Sequence, residues 1–310
     1  MLSVIAGVSV LLLVAFTLAA TFMGMNMAVI RQKKPTVLGE NMGEASTVDT
    51  VFHKDIEEGR RWITEKSFEE HRITSDDGIT LYGRFYKNGD SKTTILMMHG
   101  FRSNAIHDFS CAFSFYFNKG FNLFVPDQRA HGNSEGKYIT YGVFERYDAL
   151  SWVKYINRLI PDGKIYMTGV SMGASTVLMA AGLELPENVL GIIADCGFTS
   201  PGEIIKKVMK QDLKLPLFPF YYTTRAMTKV VAGFDFEEYS AVTAVKNCKI
   251  PILFLHGKSD GFVPFSMGEE IYSAAGCRKE AVWVENADHG CSFLVDQAAC
   301  ATALAGFLGI

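Results

Sequence analysis

Between Leu2 and Ile30 the chain has no Asp, Glu, Lys or Arg. Over a stretch longer than the ~20 apolar residues that span a bilayer, with Val-Leu-Leu-Leu-Val-Ala-Phe near its centre, that absence points to an N-terminal transmembrane helix. A cleaved signal peptide is the weaker alternative, because a positive n-region and a short apolar core are both missing. Also missing is any C-x-x-C spacing. The six cysteines, Cys111, Cys196, Cys248, Cys277, Cys291 and Cys300, are scattered. This fits free buried thiols in a reducing compartment and gives no zinc pattern, though their even number leaves disulfides as an alternative. No block of like charge stands out and the net charge is −3, so nucleic acid is excluded as a partner. There is no internal repeat.

The 310 residues suffice for one large α/β domain and an appendage. Residues 1–34 read as the membrane anchor and its basic flank, Arg31, Lys33 and Lys34. By the positive-inside bias, that flank keeps the rest of the chain in the cytoplasm, the extracytoplasmic side being the alternative. Residues 35–66 read as a tether, rich in Gly, Ser and Thr from Pro35 to Thr47, and an amphipathic helix within Val48 to Glu65. Residues 67–310 form the main domain. Phe68–Thr74 and Ile79–Tyr86 alternate like strands around the turn signal Asp76-Asp77-Gly78. Thr93–Met98 is a continuous apolar run, as in a strand buried on both faces. Helical and strand patterns then alternate. Helices are expected over Asp108–Lys119, Val143–Leu159, Phe265–Ala275 and from about Phe293 to Leu308; strands over Phe121–Val125, Val189–Ala194, Ile250–Leu255 and Ala281–Glu285. This predicts a mostly parallel sheet with helices on both faces. Residues of about 197–249 break the rhythm and read as an inserted cap.

Gly169-Val-Ser171-Met-Gly173 joins an apolar run to an alanine-rich helical run, the setting of a nucleophile elbow. A serine there is held in a strained turn with its hydroxyl clear of the sheet, and the glycines admit neighbouring backbone. Such a serine needs a base and a carboxylate that orients it. His289 follows the strand Ala281–Glu285 directly and is the candidate base. Asp260 ends the preceding strand and is the candidate acid, giving the chain order Ser171, Asp260, His289. Asp195 is the runner-up acid; for it and for Asp127, hydrogen bonds to loop amides are the alternative role. His99, His131 and His256 sit where an imidazole makes structural contacts. Oxyanion donors are expected from the backbone amides of Met172 and Phe101.

Six motifs carry a resemblance: His99-Gly-Phe, Asp127-Gln-Arg-Ala-His-Gly-Asn-Ser134, Gly169-Val-Ser-Met-Gly173, Asp195-Cys-Gly-Phe-Thr-Ser200, His256-Gly-Lys-Ser-Asp260 and Asp288-His-Gly290. Together they resemble the α/β-hydrolase superfamily, in particular its serine aminopeptidase-like and Bem46-like branch, over about Phe68 to the C-terminus. Where that family has Arg-Gly-His-Gly this chain has Arg129-Ala-His-Gly132. The resemblance implies an α/β-hydrolase fold and a serine hydrolase working through an acyl-enzyme, with no metal or organic cofactor. Arg102, Tyr221, Tyr222 and Phe262 are the candidate substrate contacts. The aromatic cap run Leu215-Pro-Leu-Phe-Pro-Phe-Tyr-Tyr222 fits either a site for a lipid-like acyl ester or the cap's own core. An ester or thioester is the expected substrate, with an aminopeptidase-like activity, acyl transfer and a non-catalytic scaffold as alternatives.

Overall fold

The computed structural model of the chain describes residues 2–32 and 51–310. The tether expected over 35–47 lies outside them. The hairpin expected around Asp76-Asp77-Gly78 forms from β1 (Glu69–Thr74) and β2 (Thr80–Tyr86), paired antiparallel. β2 also pairs antiparallel with β4 (Asn122–Asp127). From there β4, β3 (Thr93–Met98), β5 (Lys164–Val170), β6 (Val189–Asp195), β7 (Ile252–Gly257) and β8 (Lys279–Val284) run parallel. The spatial order of the sheet is β1-β2-β4-β3-β5-β6-β7-β8.

Parallel strands bury both faces, and the two faces have separate cores. One is closed by α5 (Glu145–Leu159), α6 (Met172–Ala180) and α10 (Phe265–Ala274), through residues such as Trp152, Val177 and Ile271. The other is closed by α4 (Ser110–Asn118) and α12 (Gln297–Leu308), through Phe113, Tyr116 and Leu304. Outside α4 lies α2 (His53–Thr64), which buries Ile56 and Ile63 and brings Gly59 against the Ser110 backbone, where a Cβ would overlap it. The single helix expected over Asp108–Lys119 is two. Asn104 caps α3 (Ala105–Asp108) by accepting from the His107 amide, and α4 starts afresh at Ser110.

The insertion holds α7 (Pro201–Lys207), a π-helical turn (Val208–Asp212) and α8 (Phe220–Ala232). α9 (Ala241–Val245) follows, with Ala241 and Val245 packed in the same core as α6. In the 129–132 loop, Ala130 holds φ 60°. That is the left-handed region in which glycine is unstrained, which accounts for the glycine in the family pattern.

α1 (Leu2–Ala28) is a 27-residue helix. The sequence leads to the expectation of a helix free to span a bilayer. In the structure its C-terminal half is docked on the domain instead: Thr21 donates to Thr223 at 2.7 Å, Phe16 meets Phe220 edge-on, and Met25 and Val29 are buried in the core. Among the described residues, no helix is long and apolar enough to cross a membrane.

Trp152 is fully buried against Phe124 at 4.9 Å and Tyr155 at 5.8 Å. Trp152→Ala is expected to destabilise the fold by ~3–5 kcal/mol. Urea unfolding measures this, and an unchanged midpoint would remove Trp152 from the stabilising core.

Candidate active site

The elbow is the junction of β5 and α6. Ser171 sits there with φ 55° and ψ −116°. A residue with a Cβ holds such a conformation only where its surroundings enforce it. Here both motif glycines are needed: a Cβ on Gly173 would overlap the Met98 carbonyl of β3, and one on Gly169 would overlap the Gly173 backbone. α6 is thereby pressed onto the sheet with its N-terminus under Ser171.

His289 follows β8, and its Nε2 lies 2.9 Å from Ser171 Oγ. Its Nδ1 donates to Asp260 Oδ2 at 2.8 Å. Asp260, at the end of β7, accepts at Oδ1 from the amides of Phe262 (2.9 Å) and Val263 (2.7 Å). His256 Nε2 lies 3.3 Å from Asp260 Oδ2 and also bonds the Val263 carbonyl. Burial alone would raise the Asp260 pKa, but the charge of His289 and the hydrogen bonds from His256 and His289 outweigh it and hold the carboxyl well below the usual range. For His289 the balance also favours the ion: burial lowers the pKa, the adjacent Asp260 carboxylate raises it more, and the net shift is upward. Asp288, next in sequence to His289, accepts from the amides of Gly261 (3.0 Å) and His289 (2.7 Å), so it ties the two loops together.

The loop after β3 passes directly beside Ser171, whose Cβ would lie 3.5 Å from a Cβ on Gly100. Asp108 holds this loop, accepting from the Gly100 amide at 2.6 Å and from Ser103 Oγ at 2.5 Å. The Arg102 amide donates to His131 Nε2 at 2.9 Å. Between these two engaged amides, the Phe101 N–H makes no hydrogen bond among the described residues. The Met172 N–H, first in α6, has no intrahelical acceptor. His99 and His131 are both built into the structure: His99 Nε2 accepts from the Gln128 amide at 3.0 Å, and burial pushes His131 down to about 3.

A cavity of about 520 Å³ opens at Ser171 and His289. It runs beneath α3 and α4 toward α11 (Ser292–Val295) and α12, lined by Phe109, Ala112, Ile193, Leu255, Phe293 and Leu304. Of the candidate substrate contacts, Phe262 lies on its wall, 5.0 Å edge-on from His289, and Arg102 stands at its rim. Tyr221 and Tyr222 do not line it. Tyr221 is buried in the cap, bonded to Glu237 and packed on Phe236, while Tyr222 is exposed outside. Packing of the cap's own aromatics therefore displaces them from the site.

A family model described as the α/β hydrolase fold matches residues 93–222. The chain is 29% identical to the uncharacterized protein YqkD of Bacillus subtilis over 222 residues, 71% of this chain and 72% of that one. It is 24% identical to the protein bem46 of Schizosaccharomyces pombe, over 67% of this chain and 64% of that one. The Pyrococcus furiosus esterase Pf2001 has the same fold, at a TM-score of 0.66 and 23% identity, over 80% of this chain and 92% of that one. Over 93–222 the chain is similar to the α/β hydrolases, and its sheet has that fold.

Asp108 and His256 also support the site, though neither is marked for that role in the sequence. Asp108 lies one helical turn past the loop it holds, and His256 four residues before Asp260; both spacings are visible only once the turns are known. Asp127 accepts from the Asn133 amide at 2.8 Å, the loop-amide role considered for it. Asp195 instead accepts from Ser292 Oγ at 3.0 Å, and burial raises it to about 6. Cys196, Asp260 and His289 have donor atoms within 4.8 Å of one another. Burial pushes the Cys196 thiol well above its ordinary range.

A general base works only when neutral, so raising its pKa moves the acid limb of activity to higher pH. We expect kcat/KM of an ester substrate to fall on acidification with a midpoint above ~6.5. Asp260→Asn withdraws the charge that favours the imidazolium, and is expected to move the limb down while lowering kcat by about 10⁴-fold. A limb left in place in the variant would detach Asp260 from His289.

Proposed function

We propose that the chain is a serine hydrolase that cleaves carboxylic ester or thioester bonds through an acyl-enzyme. The observation that carries this reading is the hydrogen-bonded series Ser171, His289 and Asp260 at the mouth of an apolar cavity. Ser171 Oγ attacks the acyl carbonyl as His289 Nε2 takes its proton. Asp260 holds the Nδ1–H tautomer and stabilises the imidazolium. The carbonyl oxygen gains its negative charge between the Met172 and Phe101 N–H groups, each worth about 3 kcal/mol of barrier. His289 then protonates the departing alcohol or thiol. Water, deprotonated by the same nitrogen, releases the acid and restores Ser171.

The cavity supports an acyl chain lying under α3 and α4, not in the cap. Its size falls in the ~300–1,000 Å³ range of small-molecule sites. An aminopeptidase-like reading needs a carboxylate free to take a substrate ammonium. The carboxylates on the wall are engaged: Asp108 with the Gly100 loop, Asp288 with two amides, Asp212 with Lys207, and Asp195 deep inside with Ser292. An ester hydrolase is the better fit. The name esterase carried by the Pyrococcus protein agrees with it.

Membrane attachment through α1 is part of the same proposal. The helix carries no charge and turns Leu11, Leu12, Phe16, Phe22 and Met23 outward. Such a face is stabilised by lipid.

A fluorophosphonate probe is expected to label the native chain and not Ser171→Ala; labelling that survives would refute the assignment. In a panel of esters of rising chain length beside aminoacyl amides, esters should turn over faster. Ala112→Phe should shift the preference to short chains by about tenfold in kcat/KM, in line with a steric loss of a few methylenes. Faster amide turnover would reverse the choice between ester and peptide. For attachment, the full chain should float with phosphatidylcholine vesicles, and Leu11→Glu with Phe16→Glu should remain at the bottom of the gradient. Equal flotation of both would place the membrane contact elsewhere.

A further inference from the structure

The rim of the cavity has an unexpected neighbour. Arg102 follows the Phe101 amide directly and holds φ 53°, a left-handed conformation that costs a non-glycine residue about 1 kcal/mol or more. Its guanidinium makes no salt bridge among the described residues. Nη2 donates to the Asn26 carbonyl at 2.9 Å and the Ile30 carbonyl at 3.1 Å, and Nε is buried without a hydrogen-bond partner among the described residues. Asn26 lies in the last turn of α1 and Ile30 two residues beyond it, where orphan acceptors and the helix dipole favour a cation. The guanidinium lies 5.0 Å over the Phe101 ring, which stacks on Tyr141 at 5.2 Å and 21°. Tyr141 Oη in turn donates to the Ala28 carbonyl at 2.7 Å. The last turn of α1 is thus gripped from both sides of the Phe101 amide.

The grip continues past the helix. Ile30 bridges to Tyr138, the Arg31 amide donates to the Lys137 carbonyl, and the Arg31 guanidinium donates to the Gly132 and Ser134 carbonyls at 2.6 Å. The Arg129–Ser134 loop also carries His131, which holds the Arg102 amide. The oxyanion loop therefore packs against a helix that lies before the hydrolase domain in sequence.

We propose that Arg102 is a positioning residue that couples the seating of the apolar helix α1 to the Phe101 amide, so that turnover depends on α1 being docked. This rests on the reading of Phe101 as an oxyanion donor. A misplaced oxyanion donor weakens the transition state and leaves substrate binding alone, so the loss appears in kcat and not in KM. Arg102→Gln cannot present a cation to the two carbonyls, whereas Arg102→Lys can.

The test uses the full chain with a p-nitrophenyl ester. Arg102→Gln is expected to lower kcat by about 10–100-fold with KM within about twofold, less than the roughly 10²–10³-fold lost when an oxyanion donor is removed outright. The acid limb set by His289 should stay in place, and Arg102→Lys should recover at least a third of the native kcat. A folded Arg102→Gln with native kcat overturns the coupling, as does a fall in kcat that Lys does not rescue. If Arg102→Gln fails to fold, Tyr141→Phe decides. In it a kcat below a third of native at unchanged KM supports the coupling, and a native kcat overturns it. Fluorophosphonate labelling of the native chain separates the two readings: without it both fall, and with it these variants judge the coupling alone.

Discussion

Ser171 keeps its backbone at φ 55° because α6 is pressed against β3 and β5 more closely than any side chain would allow. Everything else in the site is arranged around that contact. It aims the hydroxyl away from the sheet and leaves the Met172 N–H at the open end of a helix. It also fixes the level at which the other loops must arrive. Because the strands from β4 to β8 are parallel, the loops after β3, β5, β7 and β8 leave from the same edge. The fold thus converts distant sequence positions into neighbours without any local signal linking them.

Carboxylates hold those loops, each by accepting backbone amides. Asp108 fixes the Gly100 turn, Asp127 the Asn133 turn, Asp260 the Phe262–Val263 turn, and Asp288 joins the last two loops of the site. A buried carboxylate left without such donors would be costly. With them it stays ionised and rigid. Asp260 does both tasks at once, since one oxygen holds its own loop and the other holds His289. That division explains why the carboxyl remains charged while almost wholly buried.

The sheet and the positions of Ser171, Asp260 and His289 were legible because each depends on a local pattern. An apolar run marks a buried strand, glycines flank the elbow, and candidate polar residues end the strands. Tyr221 was not legible: its place follows from how the cap packs on itself, and an aromatic run looks the same whether it lines a pocket or fills a core. The cavity under α3 and α4 was hidden for a related reason. Phe109, Ala112 and Phe293 form ordinary amphipathic patterns, and a gap between them arises only from the set of α3, α4 and α11 over the sheet. Arg102 reads as a substrate contact, yet its partners are main-chain carbonyls of residues 26 and 30, which carry no side-chain signature.

The same difficulty governs α1. A charge-free helix reads alike whether lipid or protein covers it, because both surroundings reward the same side chains. The structure divides it by face and by length. At ~1.5 Å per residue its 27 residues extend about 40 Å. The final turns spend their apolar face on α8 and the core, and their carbonyls on Arg102 and Tyr141. The outward positions Leu11, Leu12, Phe22 and Met23 remain exposed. A helix held this way at one end and apolar at the other meets, through its docked end, the loop beside Ser171.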